Sequence, residues 1–287
     1  MNNRRNLLIA STIVVLFIVI GGVVMWPLFK RVISKFRTYD LLPYYDGAVE
    51  SDGSYTNVVF LHHSTGSALI SEGDVRALFS ERGYQFWDHG YNQSGLQDPD
   101  GTSTQASYQI PGLRGRGNTD VDGLAELFTQ PVTDPPSNAF SYLLQHEVIA
   151  VKSCYPNSAI KSVGMQEQFQ EWYLQMRDVM DQHPDRTFIL VTSPPLHPQK
   201  TNADEAARAR IIANWLKSDE YLTGHPNIFV FDFFDLLADP DTNVLHAKYR
   251  ESADEVNSHP NPLANEVIGP QFVEFVVQSV ESYRAAR

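Results

Sequence analysis

The chain has 287 residues, 43% of them hydrophobic and 20% charged, with a formal net charge of −12. This composition excludes a disordered or collagen-like polymer and provides enough apolar side chains for one well-buried domain. Six of the 22 basic residues and none of the 34 acidic ones precede residue 38, so the rest of the chain carries a net −18. A surface of that sign repels nucleic acid and anionic lipid headgroups, and nucleic acid is not expected as a partner.

The first predicted element is Leu7 to Phe29, 23 residues without a charge. At about 1.5 Å per residue it spans roughly 35 Å, enough for a hydrocarbon core of about 30 Å. It exceeds the apolar core of a signal peptide, and no small-x-small cleavage site follows it. Residues 1–37 therefore read as an N-terminal membrane anchor with basic flanks. Arg4 and Arg5 precede the span, while Lys30, Arg31, Lys35 and Arg37 follow it, so charge alone gives no clear orientation and leans slightly toward a cytoplasmic C-terminal side. Residues 38–56 are a polar stretch rich in Asp, Gly, Ser and Tyr, read as a linker to a domain over 57–287.

That domain alternates strand and helix patterns. Short apolar runs predict strands at 57–62, 84–88, 147–152, 187–192 and 227–232. Helical spacing of apolar residues predicts helices over 72–82, 164–183, 203–217 and 263–284. Such alternation implies a parallel sheet covered on both faces: an α/β fold with a central parallel five-stranded sheet. Residues 97–146 break the rhythm. This insertion is rich in Gly, Pro, Asp and Ser, with one short helix at 121–128 capped by Asp120 or Thr119, and is expected near a binding site.

Ligands of parallel sheets bind beyond the carboxyl ends of the strands. The residues found there are His62-His63-Ser64-Thr65-Gly66 after the first strand and His89 to Gly95 after the second. Ser153 to Ser158 follow the third, and Ser258-His259-Pro260-Asn261 precede the last helix. A hydroxyl, a glycine, an amide and an imidazole thus converge on one edge. Acyl transfer needs that set: a serine becomes nucleophilic when a base accepts its proton, and the tetrahedral intermediate needs preorganised N–H donors.

With Ser64 in FLHHST, Gly95 in NQSGL, Asn157 in KSCYPNS and His259 in SHPN, the chain resembles the SGNH (GDSL-like) hydrolases over roughly residues 57–285. The family is named for Ser, Gly, Asn and His in four blocks in that order. The resemblance implies a flavodoxin-like three-layer α/β/α sandwich and a serine esterase with no cofactor. Ser64 is the expected nucleophile and His259 its base. The Ser64 and Gly95 N–H groups and the Asn157 amide are the expected oxyanion donors. The chain departs from the family pattern in three places. His62-His63 replaces the usual Gly-Asp before the serine, and the Gly-x-Asn-Asp of the third block is absent. Val256 stands three residues before the histidine, where the acid belongs; Asp254 is the expected substitute, with Glu255 or a backbone carbonyl as other ways to orient the ring.

Other residues compete for roles. His63 and His197 are candidates for the substrate pocket. His62 or His63 with Asp88 or His89 has the ligand types for zinc or manganese, but neighbouring strand residues face opposite ways, so no metal is expected. Cys154, the only cysteine, reads as a small buried residue rather than a nucleophile. The expected substrate is a small-molecule or glycan ester, acylated or acetylated. A single N-terminal span ahead of a hydrolase ordinarily serves export, so the domain is expected to be extracytoplasmic. The rival readings are a catalytically idle domain binding a glycan or protein, a metal-dependent hydrolase, and an acyltransferase whose acceptor is a sugar.

Overall fold

A computed structural model describes residues 41–287 except 48, 50, 113, 114 and 253–255. The expected anchor at 7–29 lies outside these residues. Among the described residues no helix is long and apolar enough to cross a membrane.

The elements in chain order are β1 (Asn57–Leu61), α1 (Ser64–Glu72), α2 (Val75–Glu81), β2 (Gln85–His89), β3 (Leu96–Gln97), α3 (Val121–Phe128) and α4 (Ala139–Leu143). Then come β4 (Val148–Lys152), α5 (Val163–Met180), β5 (Thr187–Val191), α6 (Ala203–Leu216), α7 (Asp219–Leu222), β6 (Ile228–Phe231), α8 (Phe233–Leu237) and α9 (Pro262–Ala286). The sheet order is β3-β2-β1-β4-β5-β6. The sheet therefore has six strands, not the five expected. The extra strand is a two-residue antiparallel edge, with His89 opposite Leu96, too short to leave a periodic signature. The other five are parallel. Numbered among themselves they run 2-1-3-4-5, the flavodoxin order, whose direction reverses between β1 and β4.

Alternation along each strand sorts its side chains between two cores. Val59, Leu61, Ile149, Val151, Phe188 and Leu190 meet α3, α5 and α6 on one face. Val58, Phe60, Val148, Ala150, Ile189 and Val191 meet α1, α2 and α9 on the other. The result is a three-layer α/β/α sandwich. Side-chain caps set the starts of the long helices: Ser162 accepts from Met165 N–H, Asn202 from Glu205 N–H, and Asn261 from Ala264 N–H with Pro262 next to it.

The helix expected over 72–82 divides in two. Gly73 and Asp74 interrupt it, Asp74 at φ 51°, and the first piece begins at Ser64. Gly73 and Gly269 also let α9 approach: a Cβ on Gly73 would lie 2.9 Å from Gly269 Cα, and one on Gly269 would lie 2.2 Å from the Gly73 carbonyl oxygen. The stretch read as a linker is partly packed. Ser107 N–H donates to the Pro43 carbonyl at 2.9 Å, and Tyr44 stacks on Tyr142 at 5.7 Å.

Candidate active site

Ser64 is the first residue of α1, three residues beyond β1, and Cys154 stands two residues beyond β4. The site therefore lies where the strand order reverses. The first N–H groups of a helix have no intrahelical acceptor, and the N-cap residue, His63, makes no side-chain cap. Ser64 is thus presented at the positive end of α1.

His259 Nε2 lies 2.8 Å from Ser64 Oγ. Its other ring nitrogen, Nδ1, lies 2.8 Å from Asn257 Oδ1. That oxygen also accepts the His259 backbone N–H at 3.1 Å, while Asn257 Nδ2 donates to Glu251 Oε2 at 2.9 Å. Partners at both ends fix the amide orientation. Oδ1 can only accept, so Nδ1 carries the proton and Nε2 presents its lone pair to Ser64. Burial lowers the pKa of His259 below the ordinary imidazole value, with the Glu251 charge opposing it and Lys152 adding to it. The ring is therefore a neutral base at pH 7. Asn261, the cap of α9, holds the loop by donating to the Lys248 and Arg250 carbonyls at 3.0 and 2.9 Å. Tyr155 sets its ring edge-on against His259 at 5.0 Å.

The expected acid, Asp254, lies outside the described residues. The orienting partner seen beside Nδ1 is Asn257, which sequence reasoning missed. Its only signal was an amide two residues before the histidine, which has meaning only once the loop conformation is known.

Two expected oxyanion donors are engaged elsewhere. The Gly95 N–H donates to the Tyr91 carbonyl at 3.0 Å. Gly95 is needed for its backbone: its φ is +67°, and a Cβ there would meet the Ala106 carbonyl oxygen at 2.3 Å. Asn157 donates through Nδ2 to Asp120 Oδ1 at 2.7 Å and to the Cys154 carbonyl at 3.1 Å. With its oxygen receiving Val121 N–H at 3.3 Å, it ties the turn after β4 to the start of α3. Asp120 is the N-cap of α3, but its side chain turns to Asn157 instead of capping. Beside the nucleophile stands Cys154, with Sγ 3.9 Å from both Ser64 Oγ and Thr65 Oγ1.

The two histidines diverge, as strand alternation requires. His62 lies on the α1–α2–α9 face against Phe60, with Nε2 2.9 Å from Asp88 Oδ2 and Nδ1 2.9 Å from the His63 carbonyl. Arg76 pairs with the same carboxylate. Ser67 Oγ approaches His62 Nδ1 at 3.5 Å, but that nitrogen already faces a carbonyl acceptor. His63 faces the cavity and stacks on Tyr91 at 4.0 Å. Its Nε2 is buried without a hydrogen-bond partner among the described residues, and burial pushes its pKa down to about 3. His197 is buried outside the cavity lining. Its N–H donates to Ser258 Oγ at 3.0 Å, bracing the His259 loop. Among the described residues no group of three or more His, Cys, Asp or Glu is arranged to hold a metal ion.

The cavity at Ser64 holds about 510 Å³, and its polar walls include Arg116, Asn118, Asp120 and Asp122 beside the rings of Tyr91 and Tyr155. Arg116 lies over the Tyr91 ring, 4.4 Å from its centre. A cavity of similar size, about 500 Å³, occurs around Tyr55, Asp185 and Arg186, at the amino ends of the strands, and no histidine lines it among the described residues.

Fold and site together define an α/β/α sandwich with a Ser–His–Asn constellation at its switch point. No family model and no curated protein matches the chain. Among solved structures it is similar to a proposed acylhydrolase from Bacteroides fragilis, with 13% identity over 83% of this chain and 92% of that one and a TM-score of 0.49. It is also similar to a GDSL-like lipase from Bacteroides thetaiotaomicron, at 11% identity over 81% and 91% with a TM-score of 0.46. A third is a family two carbohydrate esterase from Cellvibrio japonicus, at 13% identity over 79% and 62% with a TM-score of 0.41.

Proposed function

We propose that this protein is a serine esterase that transfers an acyl group from a hydroxylated alcohol to water. The observation that carries the reading is the 2.8 Å contact between Ser64 Oγ and a His259 Nε2 whose opposite nitrogen is held by Asn257. In this reaction Ser64 Oγ attacks the ester carbonyl while His259 accepts its proton. The oxyanion develops beside the uncapped first turn of α1, where the Ser64 N–H is its nearest donor. His259 then protonates the leaving alcohol. Water, deprotonated by the same ring, releases the acid from the acyl-serine.

The polar walls of the cavity favour an alcohol rich in hydroxyl groups, such as a sugar, carrying a short acyl group. His63, whose ring lines the cavity, is placed to contact the substrate. The uncharged run at 7–29 supports tethering of the domain to a membrane.

The test is labelling of the full-length chain with a fluorophosphonate. Labelling that disappears in Ser64→Ala and His259→Ala is the expected result. Folded wild-type protein that stays unlabelled refutes the serine mechanism and leaves an idle binding domain as the better reading.

A further inference from the structure

Lys152 is fully buried at the end of β4, yet among the described residues no carboxylate forms an ion pair with it. Its Nζ donates to Thr65 Oγ1 and, at 3.0 Å, to the Ser153 carbonyl, and it lies 5.4 Å from the centre of the Phe233 ring. A buried charge without a counter-charge is among the most destabilising groups a protein can hold. Its location increases that penalty. Thr65 belongs to the first turn of α1, so the ammonium sits against the positive end of a helix. Both sources of positive potential converge next to Ser64, and among the described residues no carboxylate pairs with the ammonium there. Negative charge appears at this point only during reaction, on the oxyanion. Two expected donors are not free to help, since the Gly95 N–H and the Asn157 amide are engaged elsewhere.

We propose that Lys152 is a positioning residue of the reaction: its buried ammonium, acting through Thr65 and the first turn of α1, supplies the field that stabilises the oxyanion formed at Ser64. This inference rests on the reading of Ser64 as the nucleophile. It uses a fixed charge already in place, so no reorganisation is needed as the transition state forms.

The groups facing Lys152 are few. Cys154 lies on the same strand end, and its thiolate form would raise the lysine pKa, while burial pushes it down to about 8. The lysine charge in turn lowers the pKa of His63 and of His259 across the cavity. Thr65 and Phe233, from α1 and α8, are uncharged. Activity should therefore decline as pH rises through about 8 and the ammonium is lost. Stability moves the other way. The folded value lies below the unfolded one of about 10.4, so the unfolded chain holds more protons in that window and stability rises with pH. A purely structural lysine would leave the rate per folded molecule flat there.

The experiment measures the rate constant of fluorophosphonate labelling and kcat and KM for an aryl acetate, from about pH 6 to about pH 10, on full-length wild type, Lys152→Met and Cys154→Ser. Met matches the lysine stem and removes the charge, so the variant should fold at least as well. Expected are a roughly ten- to hundredfold lower kcat with little change in KM, loss of the alkaline decline in Lys152→Met, and its persistence in Cys154→Ser. A Lys152→Met protein with wild-type kcat and an unchanged pH profile overturns the inference and leaves the serine mechanism standing. Wild-type protein that neither labels nor turns over overturns both. Should Lys152→Met fail to fold, the wild-type profile decides: a rate that stays level to about pH 10 overturns the proposal, and a decline that Cys154→Ser retains supports it.

Discussion

Asn257→Ala removes the side-chain group that holds His259 Nδ1 among the described residues. In the transition state His259 becomes an imidazolium, and its Nδ1–H bond to Asn257 Oδ1 becomes charge-assisted, worth roughly 1.5–3 kcal/mol. The ring is half-buried, so water recovers part of this, but the tautomer that presents a lone pair to Ser64 is no longer selected. A net loss of about 2–3 kcal/mol corresponds to a rate roughly 30- to 150-fold lower, at about 1.36 kcal/mol per tenfold. Ester turnover and the fluorophosphonate labelling rate should fall together, with KM little changed and the melting temperature within a few degrees of wild type. Asn257→Asp makes the complementary case. Wild-type activity should fall on acidification with a midpoint below 6.5, because His259 must be neutral to act as base and its pKa is lowered. A carboxylate at 257 stabilises the imidazolium, so the acid limb should move to higher pH. An Asn257→Ala enzyme that keeps the full rate would refute this account of the base and return the orienting role to Asp254.

Gly95→Ala should act on folding. The left-handed backbone and the 2.3 Å approach to the Ala106 carbonyl make any side chain strained, so stability should drop by at least about 2 kcal/mol, read by chemical denaturation, while the labelling rate per folded molecule stays within about tenfold of wild type. Asn157→Ala should likewise lower the melting temperature, by roughly 4–8 °C for a loss of about 2 kcal/mol, because it strips a partially buried Asp120 of its donor and Val121 N–H of its acceptor. A thousandfold rate loss without destabilisation would show that the amide serves the oxyanion after all. Cys154→Ser should keep fluorophosphonate labelling at Ser64, located by peptide mapping; abolished labelling would make the thiol the nucleophile.

Much of the architecture was legible in the residues themselves. Runs such as VVFL, VIAV and FILV are apolar on both faces, which only a sheet covered on both sides can accommodate, and the five parallel strands stand within a residue or two of their predicted places. Period-two alternation already separated His62 from His63. Ser64 and His259 were identifiable because each occupies a position set by an element boundary: the start of the helix that follows β1, and the approach to the Asn261–Pro262 start of α9. Tertiary structure decided the rest. Whether the Gly95 N–H faces the cavity or Tyr91 depends on the dihedrals of one turn. That Cys154 and not Asn157 flanks Ser64 depends on a short 3-10 turn over Tyr155–Ser158, which rotates the amide toward Asp120. The role of Asn257 depends on a loop that folds back on its own histidine. Hydrophobic periodicity is a property of many residues summed along a segment and survives in the sequence. The direction of a single N–H or amide is set by a few torsions and by neighbours distant in the chain, and only the folded structure specifies it.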